Sequence, residues 1–296
     1  MFENILGNDK IKQELIQAVS LEKISHGYLF IGTEGIGKKQ IAKEFAKMLL
    51  CLDEKKYCNM CKSCVEFNSN NNPDFQIIEP EGLSIKIGQI RQMQEKILEQ
   101  PIISTKKVYV INDADLMTGE AQNCLLKTLE EPPQFVIIIL IGSNENNFLS
   151  TIKSRCTIIK FQDIEEKTIK KYLQDKYEIQ DISENMLNLF QGSIRRAEKL
   201  KDKQELYTNI FEIVDNIKLL DLIDVLKKAN VIYKSQEEIT DILESINVIL
   251  LKKSKEDMRF LNCIDIVEDT KRRLNANGNY NMCIDNMLFR IWEEMH

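Results

Sequence analysis

Proline and glycine all but vanish from the second half of this 296-residue chain. All five prolines lie at or before Pro133, and nine of the eleven glycines at or before Gly142. These residues punctuate mixed folds, so their retreat predicts an α/β first half and an all-helical second half. Long apolar runs are missing too. The longest, Phe135 to Ile141, falls far short of the roughly 18 residues that a membrane span needs. The start, Met1 to Gln13, is charged and amphipathic and does not read as a secretory leader, so a cytoplasmic protein without a membrane partner is expected. A basic excess is lacking as well: 40 Lys and Arg stand against 46 Asp and Glu, for a net charge of −6. A stand-alone nucleic-acid binder carries a basic face. Here basic residues are scattered, with short clusters at Lys170-Lys171, Arg195-Arg196 and Arg272-Arg273. Any DNA is therefore expected to be held by an assembly to which this chain contributes little.

What the chain does contain is ordinary for a packed protein, 43% hydrophobic and 29% charged, and it is long enough for two or three domains. Five short apolar runs read as strands: Tyr28–Ile31, Phe75–Ile78, Val108–Ile111, Phe135–Ile141 and Thr157–Ile159. Their hydrophobicity is continuous rather than alternating, which predicts strands buried on both faces of a parallel sheet. Helical patterns lie between them, with Ala42, Phe45, Ala46 and Leu49 on one face and Gln122, Leu125, Leu126 and Leu129 on another. The repeated β–α order predicts an open, doubly wound five-stranded sheet. From about Asp163 only helices are expected. A small group covers Ile164–Lys176, Ser183–Phe190 and Ile194–Leu200, and longer segments follow at Glu205–Ile217, Leu219–Val231, Gln236–Lys253, Arg259–Leu274 and Met282–Met295. Leu219, Leu222, Val225, Leu226, Ile246, Leu250, Ile264 and Trp292 are expected to pack that last bundle.

The chemistry concentrates at two places. Gly32-Thr33-Glu34-Gly35-Ile36-Gly37-Lys38-Lys39 sits between the first strand and a helix, the setting of a phosphate loop. Glycines turn backbone N–H groups toward an anion, the helix terminus adds partial positive charge, and Lys38 supplies a full one. Yet the position after Lys38, which should offer a hydroxyl to Mg²⁺, is Lys39, and Glu34 places a carboxylate in the loop. The strand Val108–Ile111 then ends in Asn112-Asp113 where a working Walker B motif has Asp followed by Glu. Asn112 lacks the metal-orienting charge, and Asp113 is one methylene shorter than the usual water-positioning residue. Lys39, Asn112 and Asp113 all impair one function, so binding of ATP or ADP stays open while turnover is not expected.

The second place is Cys51, Cys58, Cys61 and Cys64, spaced C-x6-C-x2-C-x2-C directly after the loop's helix. Clustered thiols in a cytosolic chain read as metal ligands before disulfides. Four thiolates suit tetrahedral Zn²⁺ and leave no open position, so a structural zinc is expected, with redox chemistry or an iron–sulfur centre as the alternatives. Neither histidine, His26 or His296, lies in the cluster. Cys124, Cys156, Cys263 and Cys283 stand alone at apolar positions and read as packing residues.

These features together resemble the clamp-loader branch of the AAA+ family. Phe2 to Asn8 and His26 to Phe30 resemble the start of that family, and the cysteine insertion has its place and nearly its spacing. Leu125-Leu126-Lys127-Thr128-Leu129-Glu130-Glu131-Pro132-Pro133 is close to a family signature. Ser154-Arg155-Cys156 matches its Ser-Arg-Cys motif, Gly192-Ser193-Ile194-Arg195 its sensor 2 segment, and Asn275 to Asn277 with Asp285-Asn286 its collar.

The resemblance implies a P-loop core at 1–162 with the zinc module at about 51–64, a three-helix lid at 163–203 and a helical collar at 204–296. Motor subunits of this branch keep both Walker motifs, whereas the delta-prime type often does not. Lys39, Asn112 and Asp113 therefore imply a delta-prime type subunit of a DNA polymerase III clamp loader. Its partners would be gamma/tau motors and a delta subunit, with the sliding clamp and primer-template DNA reached through the assembly. Arg155 would act as a finger in trans on a neighbour's ATP, Ser143 would stand at sensor 1 and Arg195 at sensor 2. The alternatives are an active ATPase, gamma/tau-like or another remodeller, and a zinc-dependent DNA-binding module. Lys39 and Asn112 speak against the first, and the negative net charge speaks against the second.

Overall fold

The computed structural model describes residues 2–3, 5–179 and 181–296. Its chain divides into two units, one of Met1–Thr168 with Gly192–Ile194 and one of Ile169–Gln191 with Arg195–His296.

The first unit alternates helix and strand: α1 (Asp9–Ser20), β1 (Gly27–Ile31), α2 (Lys38–Leu50), α3 (Lys62–Asn68), β2 (Phe75–Ile78), α4 (Ile87–Ile97), β3 (Lys107–Ile111), α5 (Gly119–Glu130), β4 (Val136–Gly142), α6 (Ser150–Lys153) and β5 (Thr157–Lys160). Among the described residues the strands form one parallel sheet in the order β2-β3-β4-β1-β5. Burial explains the continuous apolar strands. Tyr28, Phe30, Val108, Val110, Ile137 and Ile139 face a layer containing α1 and α2. Their neighbours Leu29, Ile31, Tyr109, Ile111, Ile138 and Leu140 face a layer containing α4 and α5. With both faces covered, no strand position of β1, β3 or β4 can be polar without a partner. The five expected strands are all present, shifted by at most a residue at their ends, and the fold is the α/β phosphate-loop architecture.

The loops that matter leave the carboxyl ends of β1, β3 and β4, where open parallel sheets hold ligands. The segment before α1 is tied to the far end of β5 by a reciprocal pair: Asn8 Nδ2 donates to Gln162 O (3.0 Å) and Gln162 N to Asn8 Oδ1 (2.8 Å). Gly192 (φ +69°) packs so closely on Asp163 that a Cβ there would lie 2.4 Å from that residue's own, which explains a glycine at this point.

The rest of the chain is helical, and apart from the first residues of α7 and α9 these helices make up the second unit: α7 (Glu166–Tyr177), α8 (Glu184–Phe190), α9 (Ile194–Leu200), α10 (Gln204–Asp215), α11 (Leu222–Lys228), α12 (Asn230–Tyr233), α13 (Ile239–Lys253), α14 (Arg259–Asn275) and α15 (Tyr280–Met295). Its core draws on Tyr207, Ile210, Val225, Ile246, Leu250, Cys263, Ile284 and Met287, all buried. One expectation is corrected here. The segment 219–231 is not a single helix but α11 and α12, and Leu219 is 84% exposed rather than packed. The N–H groups of Leu219 and Leu220 both bond to Asn216 O, so the chain turns at this point and Leu219 points outward. No described helix is long and apolar enough to cross a membrane.

Candidate functional site

The phosphate loop is shaped by its glycines. Gly35 (φ +79°) and Gly37 (φ +96°) adopt left-handed backbone, and Gly37 caps α2, so the loop folds back over the helix start. Lys38, 7% exposed, bonds to Gly32 O and, at 2.8 Å, to Thr33 O. Burial lowers its affinity for a proton, opposed by Asp115, Asp113, Glu34 and Asp163.

Lys39 turns to the end of β2, where its Nζ lies 2.6 Å from Glu79 Oε1. At the end of β3, Asn112 Nδ2 donates to Asp113 Oδ2 (2.9 Å), and Asp113 stands in left-handed backbone. The Asp113 carboxyl is pushed up by burial, by Glu34 and by Asp115, while Lys38 and Lys39 pull it down. At the end of β4, Asp115 Oδ2 accepts from Ser143 N (3.1 Å), Ser143 Oγ (2.9 Å) and Asn144 N (3.1 Å). Lys38, Lys39, Asn112, Asp113 and Ser143 are thus gathered at one edge of the sheet. Mg²⁺, the usual companion of such a loop, finds a poor donor set here. An ammonium stands where a hydroxyl belongs, and an amide N–H is engaged where a carboxylate belongs.

Glu79 and Asp115 escaped the sequence reading. Each directly follows or lies near the end of a strand on the loop's side of the sheet, which is the signal that would have flagged them.

Arg155 follows α6. Its guanidinium lies 2.6 Å from Glu130 Oε1 at the end of α5 and donates to Thr151 O (2.8 Å) and Ser154 Oγ (3.3 Å). The Arg155 side chain is 32% exposed and that of Glu130 49%. The sequence had suggested the arginine but not this acidic partner. Arg195 lies on α9 in the second unit.

The four cysteines converge. Cys51 ends α2, Cys61 caps α3, Cys64 lies within α3, and left-handed Lys56 and Asn59 turn the intervening loop back on itself. All four sulfurs lie within 4.8 Å of one another, with Cys51 3.6 Å from Cys58 and 4.0 Å from Cys61. A tetrahedral Zn–S length of roughly 2.3 Å implies sulfur separations of about 3.8 Å, so the donor set fits Zn²⁺. Cys61 N donates to Cys58 Sγ (3.2 Å), a bond that strengthens with charge on sulfur. Burial works against the Cys61 thiolate, but N–H donors of Leu52 and Cys64 and the neighbouring thiols outweigh it and bring the group down to about 6. Cys64 is driven up by burial, then by Cys61 and Cys51. Such a set could hold a metal ion and leaves no thiol over for catalysis.

The module is bolted to the sheet by polar contacts that the sequence did not reveal. Asp74, 2% exposed, accepts from the N–H groups of Ile102 (2.7 Å), Ile103 (2.8 Å) and Ser104 (2.7 Å). Ser104 Oγ in turn donates to Leu50 O (2.9 Å) and lies 2.9 Å from Ser63 Oγ, which flank Cys51 and Cys64.

Comparison with known proteins agrees with this geometry. A DNA polymerase III subunit delta' of Bacillus subtilis is 38% identical over 61% of this chain and 54% of its own length. A DNA polymerase III subunit gamma/tau of Mycoplasma genitalium is 32% identical over 84% of this chain and 43% of its own. The chain thus spans about half the length of these curated relatives. A solved DNA polymerase III gamma subunit-related protein of Thermotoga maritima shares the fold, with a TM-score of 0.51 at 19% identity, covering 96% of this chain and 99% of that one. Residues 7–165, more than half of the chain, match the family described as DNA polymerase III, delta subunit, and it is to this family that the chain belongs.

Proposed function

We propose that the chain is a delta-prime type subunit of a DNA polymerase III clamp loader, assembling with gamma/tau motors and a delta subunit to load a sliding clamp on primed DNA. Its own site does not turn over ATP. Its contribution to hydrolysis is Arg155, offered in trans to nucleotide held by a neighbour. The lid at 163–203 and the collar at 204–296 belong to this reading, as does a structural Zn²⁺ on Cys51, Cys58, Cys61 and Cys64.

One observation carries it. The positions that should ligate Mg²⁺ hold Lys39, paired with Glu79, and Asn112, bonded to Asp113, while the partly exposed Arg155 guanidinium is held, among the described residues, only by contacts at its own corner of the unit, to Glu130, Thr151 O and Ser154 Oγ. A partly exposed ion pair such as Arg155–Glu130 contributes at most about 1 kcal/mol. An arginine finger is worth roughly 10³ to 10⁵ in rate, on the order of 4 to 7 kcal/mol. In the transition state the trans contact is therefore worth more than the pair with Glu130, and on engaging a neighbouring γ-phosphate Arg155 would exchange that pair and its bonds to Thr151 O and Ser154 Oγ.

The test is ATP turnover by a reconstituted loader on clamp and primed DNA, with wild-type chain against Arg155→Ala and the chain alone beside it. A silent chain and a steep loss in the assembled variant support the proposal. Hydrolysis by the isolated chain, with no effect of Arg155→Ala in the complex, would make it a motor in its own right.

A further inference from the structure

We propose that the open edge of β5, together with the groove between it and α1, is a docking site for an extended segment of a partner chain, which adds to the sheet as a further strand. The site lies wholly within the first unit, and none of the residues from Gly32 to Lys39 lines it.

Strand β5 ends the sheet, so one row of its backbone groups has no neighbouring strand. The register shows which row. Phe161 N donates to Ile31 O (2.7 Å), and Ile31 stands beside Lys160. Inward and outward residues alternate along such a ladder. Ile159 and Phe161 therefore turn their backbone groups to β1, while Ile158, Lys160 and Gln162 turn theirs outward. Gln162 is already satisfied, by a side chain that takes a strand's place: Asn8 Nδ2 donates to Gln162 O (3.0 Å) and Asn8 Oδ1 accepts from Gln162 N (2.8 Å). Ile158 and Lys160 have no such cap among the described residues, so their N–H and C=O groups stand open in one row. An extended backbone presents acceptors and donors at the matching spacing.

The row opens on a groove of about 710 Å³. Ile11, Leu15 and Ala18 line it from α1, and Tyr28 and Ile159 line it from the sheet. The Tyr28 hydroxyl accepts from Ser25 N (3.0 Å), which leaves its own proton for an incoming carbonyl. An edge strand beside a groove is where extended peptides add to a sheet: the backbone supplies affinity, and alternate side chains enter the groove. The partner segment is therefore one of about four or five residues, with an apolar side chain at every second position.

Charge gives that segment its polarity. Of the charged residues that line the groove, Asp9 is paired with Lys12 (2.8 Å) and Lys160 with Glu145 (2.6 Å), while Lys10 and Glu14 stand one helical turn apart and offset each other. Lys23 and Glu165 remain, and neither meets an opposite charge among the described residues. Lys23 lies ahead of β1, at the end where Tyr28 stands beside Thr157, and Glu165 follows β5 at the other end. The complementary segment is acidic at the end beside Thr157 and basic at the end beside Gln162.

The experiment titrates short blocked peptides into the isotope-labelled full-length chain and follows its amide resonances. The peptides alternate isoleucine with threonine and carry aspartate at one end and lysine at the other, in both orders. One order should bind and shift the amides of Ile158 and Lys160. Methylating a peptide N–H that faces β5 should then weaken binding about fivefold, whereas methylating the alternate N–H groups should change it by less than about twofold. Lys160→Pro removes one outward N–H and keeps the bonds to β1, so it should also cost about fivefold. Ala18→Trp, which fills the groove, should abolish binding. The methylated peptides need no variant and so test the backbone row even if Lys160→Pro fails to fold. The inference is overturned if neither order binds, or if methylation costs the same in both rows. It is also overturned if sedimentation shows a dimer of the chain that Lys160→Pro dissolves and the peptides do not displace, since the edge would then belong to a second copy.

Discussion

Replacing Asp74 by alanine should loosen the metal module from a distance, because this one carboxylate organises the backbone that holds it. Asp74 is 2% exposed and accepts three N–H groups, from Ile102, Ile103 and Ser104, at 2.7 to 2.8 Å. Hydrogen bonds to a charged acceptor contribute about 1.5 to 3 kcal/mol each, which would sum to roughly 4 to 9 kcal/mol. The actual loss is smaller, since Ile102 is 73% exposed and its loop can turn N–H groups to water. A cost of about 3 kcal/mol is expected, with Asp74→Asn, which keeps one accepting oxygen, costing roughly half. Urea unfolding of cobalt-substituted protein, followed by thiolate-to-metal absorption, reports on the first unit alone. Because Ser104 also bonds Leu50 O beside Cys51, the variant should release its metal to a chelator faster than wild type. A stability loss below about 0.5 kcal/mol with unchanged metal release would refute the reasoning, since a buried charge with three donors cannot be that cheap to remove.

Other expectations follow from the same contacts. Glu130→Gln removes the acidic partner of Arg155 without touching the guanidinium, so turnover by an assembled loader should change by no more than about fivefold; abolition would show that Glu130 does more than hold the arginine. Cys58→Ser should abolish stoichiometric metal binding and destabilise the first unit, as metal analysis and thermal unfolding would record. Glu198 accepts from Lys176 (2.8 Å), Tyr172 (2.6 Å) and Tyr177 (2.7 Å); burial opposes its charge, but these donors prevail and hold the carboxyl down at about 2. Because the folded value is depressed, this contribution is present above the ordinary glutamate range and fades as pH falls toward 2. With the side chain 33% exposed, screening leaves about 1 kcal/mol. The stability gap between wild type and Glu198→Gln should therefore exist at neutral pH and close under acid, and a gap that does not change with pH would contradict the assignment.

The sheet was legible because its strands are buried on both faces, and that condition writes continuous apolar runs such as Val136 to Ile141. The helical half was legible in outline for the same kind of reason, an apolar stripe at helical spacing. It failed at Leu219, where the periodicity runs on through a turn that neither glycine nor proline marks. The loop and the cysteines announced themselves by spacing. Their partners did not. Lys39 with Glu79, Arg155 with Glu130 and Asp115 with Ser143 join residues from different strands and helices, and any of 46 acidic side chains could have been chosen from sequence. Pairing of that kind is decided by which strand ends the topology brings side by side.

The strand order also sets a timetable for biogenesis. The strand that precedes the phosphate loop is an interior strand of the sheet, next to the edge strand β5, yet both its neighbours come late: Gly27 lies beside Ile138 and Tyr28 beside Thr157. During synthesis this apolar segment leaves the ribosome with no strand to join and waits through most of the first unit's translation. The four cysteines, by contrast, fall within one short stretch and need no distant strand to meet. Metal capture can therefore precede sheet closure, giving the nascent chain a local anchor next to α2 while the exposed strand waits. On the proposed reading of the four cysteines as a zinc site, zinc shortage would first show as aggregation of newly made chains, before any loss from the pool already folded.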